Sequence, residues 1–272
     1  MQVYVGMDIG TAKPDSETRR RFDYRMLDVC EPSENMSVQR FQDLARGHVA
    51  EIMSEGKRVV ISGGSGLHFR AVVDPMTFAP TDPDVREQLE SMDGEELRSL
   101  LLAADPTAGD HVDVANPRRV VRAVEVWRLT GQTPSYRAMT REAAAVRRYE
   151  PLVPFKGFGV DAGTMLAGRA ANRLHTMVEG GFVDEVEGLR GRLGTNAAQA
   201  VGYMEFLRAV DGEISMDDAF NGAIRSTKRL VKAQRTFFRR DPRIVWLTWQ
   251  DDEAVRIQSA VERIGEVMQW TS

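Results

Sequence analysis

Apolar residues recur along this chain in two rhythms, one of helical period and one of short unbroken runs. Residues 38–55 place Phe41, Leu44, Ala45, Val49 and Ile52 on one face at three- and four-residue spacing, which predicts an amphipathic helix. Ser37 offers an N-cap to it and Gly56 a stop. Asn116 and Pro117 open a second helix, with Val120, Val121, Val124 and Trp127 as its stripe and Gly131 just past its end. A third, over residues 217–238, carries Phe220, Ile224, Val231 and Phe238. Helices also fit residues 164–179 and 182–193, divided by Gly180-Gly181, and a helix begins at Thr81-Asp82-Pro83 with Val85, Arg86 and Leu89. A closing helix over residues 251–270 is expected to pack on the core. In the other rhythm, Arg58-Val59-Val60-Ile61 predicts a buried strand, followed by Gly63-Gly64-Ser65-Gly66 and a short helix over residues 67–73. Residues 158–160 and 244–247 read as further strands and residues 25–29 as a short extended stretch. The opening Gln2-Val3-Tyr4-Val5-Gly6 fits a strand or a loop.

Helix, strand, glycine turn, helix is the order of a parallel α/β sheet, so an α/β fold is expected. Ligands of such sheets bind beyond the carboxyl ends of the strands, where Gly63, Gly64 and Ser65 would lie. Backbone N–H groups at the next helix start can meet an anion there, although a tight turn without a ligand fits the same residues. From residue 81 to 145 the pattern is helical throughout. The expected organisation is a core of residues 1–80 and 146–272 with a helical insertion over residues 81–145.

Composition narrows the class. With 42% hydrophobic and 28% charged residues, 272 residues can bury a sizeable core. Cys30 is the single cysteine, which excludes an intrachain disulfide and points to a cytoplasmic setting. No run of about 18 apolar residues exists to span a membrane. His48, His68, His111 and His175 lie too far apart in sequence for a metal motif. The net charge of −4 argues against a general nucleic-acid coat, but local clustering is another matter. Lys228, Arg229, Lys232, Arg235, Arg239 and Arg240 follow one another with no acidic residue between Asp218 and Asp241. Positions 228, 232, 235 and 239 share one helix face. Such a ridge on an acidic protein suits a phosphate-bearing partner, with a plain solvated face as the other reading. Arg118, Arg119 and Arg122 sit in the first turns of their helix, where the dipole favours anions. An anionic partner or local salt bridges would each account for them.

Several segments in order resemble one family, the tRNA dimethylallyltransferases. Gln2-Val3-Tyr4-Val5-Gly6-Met7-Asp8-Ile9-Gly10-Thr11-Ala12-Lys13-Pro14 is similar to that family's Gln-x-Tyr-x-Gly-Met-Asp-Ile-Gly-Thr-Ala-Lys-Pro signature. Gly63-Gly64-Ser65-Gly66-Leu67 resembles its glycine turn, and Asp82-Pro83-Asp84-Val85-Arg86 the start of its helical insertion. Arg119-Val120-Val121-Arg122-Ala123-Val124-Glu125-Val126, Gly181-Phe182-Val183-Asp184-Glu185-Val186, Val201-Gly202-Tyr203 and residues 227–239 continue the series. The likeness runs from residue 2 to about residue 247. It implies a P-loop-NTPase-like parallel-sheet core with an inserted helical subdomain. It implies transfer of a dimethylallyl group from dimethylallyl diphosphate, with Mg²⁺, to N6 of an adenine beside the tRNA anticodon. The partners it implies are the tRNA anticodon stem-loop and dimethylallyl diphosphate, met by a monomer. By resemblance, Gln2, Ser65, Arg86, Arg118, Arg119, Arg122, Lys232, Gln234, Arg235 and Thr236 contact tRNA, and Asp8, Thr11 and Lys13 line the reaction channel.

Some family features are not among these residues. No Gly-x-x-x-x-Gly-Lys-Ser/Thr loop occurs in the sequence. The family's general-base Asp, first strand, P-loop and helix are expected to lie upstream of Met1, so a polypeptide of these 272 residues alone is expected to turn over little. Gln199, Met204, Ala233 and Phe237 stand where the family more often has Arg, Arg, Arg and Trp. A non-catalytic RNA-binding remnant is therefore the competing expectation.

Overall fold

Local capping chemistry sets most of the helices. The Val38–Ser54 helix starts where the Ser37 side chain accepts from the Arg40 N–H, and Gly56 follows its end at φ +71°. Pro117–Thr130 begins under Asn116, whose side chain accepts from the Arg118 N–H, and closes on left-handed Gly131. Met216–Phe238, the longest of them, is capped by Ser215. Asp82 and Asp93 cap Pro83–Glu90 and Gly94–Ala104 in the same way, the second of these being a helix that the apolar pattern did not single out. The structure is a computed structural model and describes residues 1–161 and 163–269; Trp270, at the end of the expected closing helix, lies outside them.

Among the described residues the fold is mostly helical, with one small parallel sheet. Strand β1 (Gly157–Val160) pairs with β2 (Ile244–Leu247), with Gly157 opposite Ile244 and Val160 opposite Leu247. The opening segment is a loop that touches residues 25–30 through an isolated parallel bridge between Tyr4 and Cys30. The strand expected over residues 58–61 does not form. Those residues make no ladder, and Val60 is 89% exposed. A strand exists only through a neighbour's hydrogen bonds, and no described segment supplies them here.

Two compact units divide the chain, one of Met1–Val72 with Lys156–Ser272 and one of Val73–Phe155. In the first, Tyr4, Met7, Phe182, Val186, Tyr203 and Phe206 lead the core, and the helices Leu166–Glu179, Phe182–Gly188, Tyr203–Val210 and Met216–Phe238 pack around it. The expected helix over residues 182–193 is shorter, because its chain turns at Leu189 and passes through Gly191 at φ +70°. In the second unit, Leu89, Leu97, Leu101, Val120 and Val124 form the core between three helices. The closing helix, Glu253–Met268, buries no residue and leaves Val255, Ile257 and Val261 about half exposed. Its apolar period predicts core packing, but amphipathic spacing alone does not provide a surface to pack on. No described helix is long and apolar enough to cross a membrane.

Candidate nucleic-acid interface and reaction cleft

The loop over residues 7–13 is moulded around a carboxylate from a distant helix. Glu185 accepts from the Asp8 N–H at 2.9 Å, the Ile9 N–H at 2.7 Å and the Gly10 N–H at 3.1 Å. Three successive N–H groups converging on one anion make a nest, and here the protein fills it with its own side chain. Tyr203 donates its hydroxyl to the same carboxylate at 2.5 Å. Burial and that bond push the Tyr203 phenol well above its ordinary range, so it stays a donor at neutral pH. Gly10 lies flat on the Phe182 and Tyr203 rings, and any β-carbon there would overlap both. The loop can approach its support this closely only as glycine.

The loop's outer edge is fixed by charge. The Lys13 side chain is buried, and its ammonium donates to Asp8 at 2.7 Å, Asp28 at 2.5 Å and the Tyr4 carbonyl at 2.5 Å. An ammonium has three N–H groups, so all three are used. Arg19 adds a bond to Asp28 at 2.8 Å. Burial would raise the Asp28 carboxyl, but the hydrogen bonds from Lys13 and Arg19 outweigh it and hold the value low. Thr11 donates to the Met7 carbonyl, and the Gln2 amide clasps the Thr11 and Ala12 carbonyls at 3.0 Å each. That clasp holds Ala12 at φ +50°, a left-handed position that costs a non-glycine residue about 1–2 kcal/mol. A cleft of about 370 Å³ opens beside the loop, lined by Asp8, Lys13, Asp15 and Arg19 among others. The structure thus brings Asp8, Thr11 and Lys13 together, and assigns Gln2 a structural bond that the sequence did not reveal.

The glycine turn meets the basic ridge within the same unit. Gly64 sits against the terminal amide of Gln234, which would have to swing aside for a side chain, and Gly66 lies on the Phe237 ring with no room for a β-carbon. Ser65 is exposed, with its hydroxyl 2.7 Å from His68 Nδ1. Thr236 bonds back to the Lys232 carbonyl at 2.9 Å. Lys228 and Lys232 are exposed, with no ion-pair partner among the described residues. Arg235 and Arg239 differ, because both bind Asp161, at 2.6 and 3.0 Å. Of the four cations on the shared face, two therefore have no ion-pair partner among the described residues and two share a carboxylate.

In the second unit the predicted arginines separate in a similar way. Arg118 is exposed beside the helix cap, and Arg119 is 3.5 Å from Asp113. Arg86 and Arg122 both bind Glu125 at 2.7 Å, and Arg122 also donates to the Ala79 and Pro80 carbonyls. Glu125 is fully buried and takes a further bond from the Asp82 N–H. Burial would raise its carboxyl, but Arg86 and Arg122 hold it below the ordinary glutamate value of 4.5. A folded value below the unfolded one contributes stability above the unfolded value and loses it as pH falls through the folded value. The part of the stability that Glu125 contributes is therefore expected to be unchanged from about pH 7 to pH 5.5 and to be lost below about pH 4.5. The E125Q variant should start less stable and show a shallower acid decline; equal declines in both proteins would remove Glu125 as a source.

Glu185, Tyr203, Asp161 and Asp28 were not singled out as site residues by the sequence. Glu185 lies 177 positions from Asp8, and nothing in either local pattern joins them. Glu125 had a partial signal, three residues after Arg122 on one helix face.

A profile of the IPP transferase family matches residues 2–241. A tRNA dimethylallyltransferase of Bifidobacterium animalis subsp. lactis is 43% identical, over 91% of this chain and 71% of that protein. One of Paenarthrobacter aurescens is 41% identical, over 96% of this chain and 85% of its own length. Among solved structures, the full-length tRNA isopentenylpyrophosphate transferase from Bacillus halodurans aligns at TM-score 0.67 and 30% identity, covering 98% of this chain and 86% of that one. A eukaryotic dimethylallyltransferase described as acting on tRNA aligns at TM-score 0.74 and 19% identity, over 97% of this chain and 69% of that one, a likeness of fold alone.

Proposed function

The chain belongs to the IPP transferase family, and on that premise we propose that it acts in tRNA prenylation, the transfer of a dimethylallyl group from dimethylallyl diphosphate to N6 of an adenine beside the anticodon. The observation that carries this is the family match over residues 2–241, which takes in both the moulded loop and the basic ridge. In the reaction the N6–C1 bond forms as the C1–O bond to diphosphate breaks, and the amine proton leaves to a base. Catalysis then needs the amine oriented, the leaving diphosphate stabilised and the proton accepted. For this chain's own residues we assign tRNA binding to Gln2, Ser65, Arg86, Arg118, Arg119, Arg122, Lys232, Gln234, Arg235 and Thr236, and a place in the reaction channel to Asp8, Thr11 and Lys13. Exposed cations grip phosphates, and polar groups read unstacked bases. Extruding the target base matches the general need to expose a base for chemistry. A P-loop-like core and a cytoplasmic setting belong to the same proposal.

Magnesium does not fit the described residues as a site of their own. No three His, Cys, Asp or Glu side chains among them converge as ligands, and Asp8 and Asp28 are both bound to Lys13. No step is derived through the ion.

Gln199, Met204 and Ala233, which replace basic residues usual in the family, favour a second reading, RNA binding without catalysis. One experiment separates the two. The protein is mixed with tRNA bearing adenine beside the anticodon and with labelled dimethylallyl diphosphate, and both binding and label on N6 are measured. Salt-sensitive binding with label supports transfer. Binding without label, obtained with the chain extended by the P-loop segment of a relative, supports the second reading, and a protein that does neither overturns both.

A further inference from the structure

We propose that Glu125 and Asp161 are positioning residues for RNA binding, each holding an arginine pair as a preformed fork for a phosphodiester group. The pairs are Arg86 with Arg122 and Arg235 with Arg239. This rests on the reading that the protein binds tRNA.

Two guanidinium groups repel one another, and each is carried on a flexible stem. A carboxylate between them removes the repulsion and fixes both side chains, while the trio keeps a net charge of +1 for a phosphate. Both sites have this form. Glu125 is buried, with Arg86 and Arg122 each at 2.7 Å and 39% and 31% exposed. Asp161 is 16% exposed, with Arg235 at 2.6 Å and Arg239 at 3.0 Å. In each pair, then, the carboxylate lies beneath and part of the arginine surface faces solvent.

A second observation separates this from ordinary structural ion pairing. Among the described residues two buried side-chain polar atoms lack a hydrogen-bond partner, Arg86 Nε and Arg235 Nε. They fall one in each trio. An ion cluster serving the fold alone closes its donors, because an orphaned buried N–H is costly. An arginine that turns toward a phosphate exchanges that orphan for an acceptor oxygen, since the guanidinium presents Nε–H and an Nη–H side by side to an anion.

The test has an opposite sign under the simpler view. Removing a negative charge from a basic surface should tighten RNA binding and steepen its salt dependence. Positioning requires the reverse. The whole protein, D161N and E125Q are titrated with an anticodon stem-loop RNA over a salt series, and each fold is checked by circular dichroism and thermal unfolding. The expected result is about 10-fold weaker binding for each variant, with a salt slope shallower by roughly one. D161E, which keeps the charge, should recover part of the affinity. If E125Q fails to fold, D161N decides, since Asp161 is partly open to solvent. Equal or tighter binding by folded D161N overturns the proposal while leaving tRNA binding intact. An unmodified protein that does not bind the RNA overturns both.

Discussion

Reversing two charges on the ridge, K228E together with K232E, is expected to weaken binding of an anticodon stem-loop by on the order of 10²-fold near 0.1 M salt. These two lysines are one helical turn apart, exposed, and without an ion-pair partner among the described residues. Their charge is available to phosphates, unlike that of Arg235 and Arg239, part of which goes to Asp161. A lysine on a phosphate releases a condensed counterion, so losing two contacts should also flatten the logarithmic salt dependence by roughly 1.5 to 2. Reversal is preferred to truncation because it adds repulsion to the lost contact. The control is K57E with R98E, an equal change of charge at residues whose neighbours are Glu55 and Glu95. That control should shift affinity only a few-fold, through net charge alone. If both double variants bind alike, the ridge is only a solvated face.

This prediction shows what the sequence disclosed and where it stopped. Spacing was enough to gather residues 228, 232, 235 and 239 on one face, because helix geometry is local. Ser37, Asn116, Pro117 and Gly131 marked their helix ends for the same reason. Which cations were already occupied was not local. Asp161 is 74 positions from Arg235, and Glu125 is 39 from Arg86. The apolar run at residues 58–61 looked like a strand because composition records burial preference, whereas strand formation depends on a partner elsewhere in the chain. The closing helix erred in the same direction: its period described a face, and its sequence could not say whether that face is covered. The moulded loop was legible as a motif and not as a mechanism of support, because its support arrives from Glu185 and Tyr203, far along the chain.

The largest stability effect is expected from that support. The Glu185 carboxylate accepts four hydrogen bonds, from the N–H groups of Asp8, Ile9 and Gly10 and from the Tyr203 hydroxyl. E185A removes every acceptor and leaves four donors. Asp8 N–H lies in an exposed setting where water can replace the lost bond, but those of Ile9 and Gly10 and the Tyr203 hydroxyl are partly enclosed. At about 1–3 kcal/mol for each donor left unsatisfied, the loss should be roughly 3 kcal/mol or more, before any relief from entering water. E185Q should cost less, because its amide oxygen still accepts while its NH₂ faces former donors. Y203F should cost least, about 1 kcal/mol, since it deletes one donor and leaves the three backbone bonds in place. Thermal unfolding should follow that order, at about 2–4 °C for each kcal/mol in a chain of this size. Hydrogen exchange at Ile9 and Gly10 should accelerate most in E185A, where both amides lose their acceptor, less in E185Q, where only one does, and least in Y203F. A Y203F protein as destabilised as E185A would place the effect in the aromatic core around Phe182 instead of the carboxylate. The same loop carries Asp8 and Lys13 to the cleft, so loosening it should displace the cleft's charged edge without touching a residue that lines it.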